Sequence, residues 1–391
     1  MQPQPPPYQP SALDAFVALA GVDAWVARIG EISRRAASGP RAGQAIRQRH
    51  ALELAIERLR GPLTRPPSRA ELHAARLAND AVVLARALRP RGRARLGAKL
   101  RTALSADGTL VPVFHLLRTA ALQGARGFSV VFAGLEDAAP YDLLIARGTL
   151  EAEIACEVVS AEEGRLVQRS VWSHLADRVE SDLRAFLAAY PGRYLLKMTL
   201  PQGLELASLG AMHERVRHLL AGRGRRYSDP AAILRLEPLV LNGGDNDLMR
   251  SLRREFSPEA HLAVTITGGG AFVMAARAGR ADEIATAVRR HLFAITPSRL
   301  SGTRPGILSI FVDDTNRSEW QGMRDRLELE GEARQFLAYK AAEPVIAVTC
   351  TSRVELFGMA DGAEDGELRF RNAAHPAAKA TALRPAILSS V

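Results

Sequence analysis

The chain has 391 residues, 47% hydrophobic and 24% charged, long enough for two or three domain-sized cores and ordinary for a folded protein. Two cysteines exclude a disulfide framework and a cysteine-based zinc site, and aromatics at 5% offer few platforms for stacking single-stranded bases. Residues 1–110 carry 18 Arg/Lys against 8 Asp/Glu, a surplus of ten, while the rest of the chain holds 34 of each sign. All the excess positive charge therefore lies in the first quarter. Its densest part, "RALRPRGRARLGAKLR" at 86–101, has seven basic residues and no acid. Such a segment suits sequence-independent contacts to backbone phosphates, with Arg89, Arg91, Arg93, Arg95, Lys99 and Arg101 as the contacting residues. The plainer reading is a solvated, Arg-rich connector, because only four of the 52 basic residues are Lys and every Arg cluster is inflated accordingly.

In chain order, residues 1–10 are Pro/Gln-rich and expected to be disordered. "MQPQPPPYQP" lacks the basic-then-apolar layout of a secretory signal, and no apolar run reaches bilayer length, so a cytoplasmic protein without membrane association is expected. From Ser11 to about Leu104 apolar residues recur at three- and four-residue steps, and two of the segments open on Ser11 and Ser68 as helix caps. This predicts a basic helical module over 11–107. Beyond Gly108 the texture changes to a helix at "LVPVFHLLRTAALQGARG", then strands at "FSVVFAG", "YDLLIA" and "EAEIACEVV". A long amphipathic helix from Glu162 to Tyr190 and a strand "RYLLKMTL" follow, giving the order α-β-β-β-α-β over 108–225. Residues 226–391 read as a further α/β region, with a glycine hairpin at "TGGGAF" and a turn at "GGDNDL".

Alternation along "EAEIACEVV" places Glu153, Ala155 and Glu157 on one face and Ile154, Cys156 and Val158 on the other. Asp142 heads the preceding strand, and hairpin pairing brings it near Ala155 or Glu157. Carboxylates converging at a sheet edge are what a hard cation such as Mg²⁺ needs to polarise a phosphodiester and generate hydroxide. Against this stands the reading that Asp142 caps a turn and Glu157 pairs with a core Arg, since buried charges are paired or neutralised.

The element order, the Asp heading the second strand and the segment "ACEVVSAEEGR" resemble the PD-(D/E)XK, or restriction-endonuclease-like, nuclease superfamily. In that resemblance Cys156, Ser160, Gly164 and Arg165 fit, Ala155 stands where the pattern has its acidic ligand, and Glu157 stands where it has Lys. The resemblance implies a restriction-endonuclease-like αβββαβ core flanked by the N-terminal helical module and a C-terminal α/β extension. It also implies a degenerate catalytic set of Asp142, Glu157 and Glu153, with Asp142 and Glu157 as metal ligands. Arg165 and Arg169, four apart near a helix N-terminus, would hold a backbone phosphate. The expected function is that of a bacterial-type nucleic-acid-binding protein, with DNA as partner and divergent Mg²⁺-dependent phosphodiester hydrolysis where activity is retained. The other reading is a catalytically inactive protein–protein scaffold on the same fold, with no metal.

Overall fold

The computed structural model describes residues 10–222, 224–239, 256, 260–268, 270–353 and 367–388. Residues 1–9 of the Pro/Gln-rich tail and the turn expected at 243–248 lie outside these. The fold is mixed α/β and divides into two compact units, one of residues 1–33, 49–163 and 285–391, the other of 34–48 and 164–284. In chain order the strands are β1 (Ser129–Val131), β2 (Leu143–Arg147), β3 (Leu150–Ser160), β4 (Arg193–Leu200), β5 (Arg226–Ser228), β6 (Ile233–Pro238), β7 (His261–Thr267), β8 (Gly270–Ala278), β9 (Gly306–Asp313), β10 (Val345–Ser352) and β11 (Leu368–Arg371). Among the described residues, no helix is long and apolar enough to cross a membrane.

The first unit is built on a six-stranded mixed sheet ordered β1-β2-β3-β9-β10-β11. β1, β2 and β3 are antiparallel neighbours, β3, β9 and β10 run parallel, and β11 closes the edge antiparallel. β9 "GILSIFVD" and β10 "VIAVTCTS" are buried at every position, as central strands covered on both faces must be. β2 and β3 join through a two-residue loop in which Gly148 has φ +64°, a conformation that only glycine adopts cheaply in so tight a hairpin. Ile154 and Cys156 turn toward helix Val111–Ala125, in a core with Leu116, Ala120, Leu143 and Ile145.

The N-terminal helices are not a separate module. Phe16, Trp25, Ile56, Ala78 and Leu96 share one apolar core with Phe114 and with Phe311 of β9. The expected long helices are also broken: Gly21, at φ +101°, separates Pro10–Ala20 from Val22–Ala36, and His50 separates Pro40–Arg49 from Ala51–Arg60. Ser68 does cap its helix, in a reciprocal capping box with Glu71. The basic stretch forms helix Pro90–Ala103, whose Gly92, Leu96, Gly97, Leu100 and Ala103 are buried. It is a packed element and not a connector.

The second unit has a five-stranded sheet ordered β5-β6-β4-β8-β7, with β4 and β8 parallel. Helices Arg169–Ala189 and Leu209–Ala221 cover it through Trp172, Val179, Val216, Leu196, Met198 and Phe272. Residues 34–48 join this unit because Asp177 accepts hydrogen bonds from the first-turn amides of Arg41 (3.1 Å) and Ala42 (2.8 Å). The Arg41 guanidinium reaches Glu180 at 2.7 Å and the Val264 carbonyl at 2.7 Å. The strand expected to complete the first core, "RYLLKMTL", is β4 and sits at the centre of this second sheet. The place beside β3 belongs to β9, reached through helix Ile284–Arg299. A contiguous core over 108–225 is therefore not what the chain builds: residues 164–284 leave the first unit between β3 and that helix.

Candidate functional site

The register of β2 on β3 pairs Leu143 with Ile154, which carries Asp142 opposite Ala155. The Asp142 amide donates to the Ile154 carbonyl (2.9 Å), and the amide of Cys156 donates to Asp142 Oδ2 (3.0 Å). Glu157 lies two residues further along β3, on the face opposite the Cys156 side chain. Both carboxylates meet at one group, the guanidinium of Arg299, the last residue of helix Ile284–Arg299.

Each nitrogen of that guanidinium holds a different oxygen. Nε donates to Glu157 Oε1 at 2.5 Å, Nη2 to Asp142 Oδ2 at 2.5 Å, and Nη1 to the carbonyl of Pro140. A second cation arrives from the basic helix: Lys99 Nζ is 3.3 Å from Asp142 Oδ1. His291, two helical turns before Arg299, places Nε2 3.7 Å from Glu157 Oε2, beyond hydrogen-bond reach but close enough to favour the charged carboxylate. The Asp142 side chain is almost fully buried, whereas those of Glu157 and Arg299 are about a quarter exposed, 23% and 27%.

These neighbours act on charge. Burial alone would raise the Glu157 carboxyl, but His291 and the Arg299 charge hold it below its ordinary value. Burial works against the Arg299 cation too, and the charges of Asp142 and Glu157 outweigh it, keeping the guanidinium more firmly protonated than usual. Burial and then the Asp142 charge push the Cys156 thiol well up, which disfavours its thiolate. Burial likewise raises Cys350 to about 12.

A divalent cation does not fit this cluster as arranged. Two carboxylates are already balanced by Arg299 and Lys99. A Mg²⁺ about 4 Å from the guanidinium would meet repulsion on the order of 8 kcal/mol at an effective dielectric of about 20. Among the described residues no three His, Cys, Asp or Glu side chains converge on a metal-sized space.

The remaining expected site residues lie elsewhere. Glu153, fully buried, accepts the Ser301 amide (2.8 Å) and hydroxyl, and Arg304 Nη1 is 3.7 Å away. It fastens the loop after helix Ile284–Arg299 and does not join Asp142 and Glu157. Arg165 was expected to share a helix face with Arg169, but the helix begins at Arg169, and the buried Arg165 side chain lies beside Asp282 (3.9 Å). Burial leaves Arg165 no access to a phosphate. On the basic helix, Arg91, Arg93, Lys99 and Arg101 are exposed, Arg93 with its Nε on the Ala85 carbonyl (2.7 Å) and its other nitrogens outward. Arg89, also exposed, stands 3.9 Å from Glu136 and 3.8 Å from Asp137. Arg95 is spent on the carbonyls of Leu135 (2.6 Å) and Glu136 (2.8 Å).

Sequence reasoning missed Arg299 and His291 and did not connect Lys99 to Asp142. The signal available was indirect: a carboxylate inside an apolar strand demands a cationic partner, and nothing local names it. No protein-family model, curated protein or solved structure matches this chain.

Proposed function

We infer that this chain is a nucleic-acid-binding protein whose first unit is a restriction-endonuclease-like core interrupted by an inserted unit, its acidic pair closed by Arg299 in place of a metal. Supporting the core reading, helix Val111–Ala125, β1, β2, β3, helix Ile284–Arg299 and β9 come in the order α-β-β-β-α-β once residues 164–283 are set aside, with one short helix, Ala133–Glu136, between β1 and β2. Asp142 heads the second of these strands and Glu157 lies late in the third.

One observation carries the functional reading. The most densely basic segment of the chain forms the helix that delivers Lys99 to Asp142, so basic helix and acidic pair occupy one place. Arg91, Arg93 and Arg101 lie exposed on that helix and suit the phosphates of a duplex. Phosphate contacts of this kind fix position and carry no base reading, so binding without sequence preference is expected. Sparse aromatics favour a duplex over single strands. No hydrolytic step is assigned, because both carboxylates are committed to cations of the protein.

The test is retention on duplex DNA, single-stranded DNA and RNA across a salt series. Duplex affinity should fall log-linearly with salt, and the variant R91A/R93A/R101A should flatten the slope by about one for every phosphate that a deleted guanidinium had neutralised. In parallel, incubation with Mg²⁺ or Mn²⁺ should give no cutting by wild type, Asp142→Asn or Glu157→Gln. Cutting by wild type that both variants abolish would restore the metal-dependent nuclease. Absence of any salt-sensitive retention would favour the protein–protein scaffold.

A further inference from the structure

The arrangement at Arg299 says more than that an acidic pair is neutralised. Its guanidinium gathers three oxygens, Asp142 Oδ2, Glu157 Oε1 and the Pro140 carbonyl, one on each nitrogen. Two carboxylates and a backbone carbonyl are an all-oxygen set of the type that hard divalent cations select. Asp142 is also fixed by the Cys156 amide, so its carboxylate does not depend on the cation for its position. Lys99, 44% exposed on a flexible stem, reaches only the other oxygen of Asp142 and can swing into solvent. Arg299 cannot leave without abandoning all three partners.

We propose that Arg299 is the resident cation of this oxygen set: it holds the position a divalent ion would take, renders the pair indifferent to metal, and conceals a divalent-cation site that removing its charge exposes. This concerns the protein alone and does not depend on whether nucleic acid binds. It predicts an asymmetry among substitutions. A neutral side chain at 299 leaves Glu157 and the Pro140 carbonyl without the guanidinium and Asp142 with Lys99 alone, a charge deficit that Mn²⁺ or Mg²⁺ relieves. Lysine at 299 keeps the charge and keeps the site closed.

Mn²⁺ titration of the full chain, followed by water-proton relaxation at low ionic strength, tests this. Wild type and Asp142→Asn should take up Mn²⁺ equally weakly. Arg299→Gln should bind about tenfold tighter or more, the gain should vanish in D142N/R299Q, and Arg299→Lys should behave as wild type. Cooperative thermal unfolding certifies each variant, and Arg299→Met replaces the glutamine form if that form does not fold. Uptake by wild type that Asp142→Asn abolishes would overturn the proposal, and so would a folded neutral variant that binds no better than wild type. Duplex retention by wild type bears only on the nucleic-acid reading, so the two fail separately.

Discussion

Glu157 illustrates how a single residue decides more than its own position. A carboxylate on a strand face between Ala155 and Val159 costs desolvation, and only a partner brought from another element makes it tolerable. The strand's alternation made that requirement legible, and Arg299 meets it from 142 residues away in sequence. Which of the many arginines would do so was not legible, since pairing over such a distance leaves no periodic trace. His115 poses the opposite case, a basic side chain kept neutral. It is buried under β9, where Nε2–H donates to the Ser309 carbonyl (3.0 Å), and Thr119 and Thr349 complete the polar group around Ser309. Burial lowers its pKa from about 6.5 to about 4, mainly because the charged ring would be desolvated. The unfolded chain therefore binds a proton between these values that the native chain does not. The contribution is fully present above about 6.5 and is lost as pH falls toward 4, up to about 3 kcal/mol. Urea midpoints measured from pH 7 to 4.5 should fall more steeply for wild type than for His115→Gln, which keeps a donor but cannot take up a proton. Parallel curves would show that the ring is not held neutral by its surroundings.

At the scale of elements, strands were easier to find than their neighbours. β3, β4, β9 and β10 all read as strands from apolar runs or alternation, and hairpin pairing of β2 with β3 was expected from their succession in the chain. The partner of β3 did not follow, because β4 and β9 are both apolar strands and local pattern carries no information about which one docks. The nearer in sequence was the natural choice, and the chain uses the farther. The junction that makes this possible is a close backbone approach at Gly164. The Glu283 amide donates to the Gly164 carbonyl at 2.8 Å, and a Cβ at position 164 would stand 2.5 Å from the Ile284 backbone. Only glycine fits there, for reasons of space and not of dihedral angle. Gly164→Ala should destabilise by about 2 kcal/mol or more, because the obstacle is main chain and cannot rotate aside. Chemical denaturation reads this directly, and a midpoint unchanged from wild type would mean that the two backbones separate without cost.

For the whole molecule, the two units rest on different apolar cores. Ile307 belongs to the core under the first sheet, and Leu196 to the core of the second. Truncating either to alanine removes buried methyl groups and leaves a cavity, a loss of about 2–4 kcal/mol. Calorimetry of the full chain should show Ile307→Ala lowering the transition of the first unit and Leu196→Ala that of the second. Equal displacement of every transition by both variants would show that the chain melts as a single cooperative body. Composition indicated more than one core, and charge division pointed to the basic helix. The grouping of sequence-distant pieces, 1–33 with 285–391 and 34–48 with 164–284, is set by packing that no contiguous window contains.

The hydrogen bond between Gly164 and Glu283 turns the intervening 118 residues into a closed excursion, departing and returning within the width of one peptide contact. Such a junction works as a socket. Any autonomously folding protein whose own ends lie side by side meets the same geometric condition at these two positions, and what such an exchange takes from the host is the anchorage of residues 34–48 on Asp177 and Glu180.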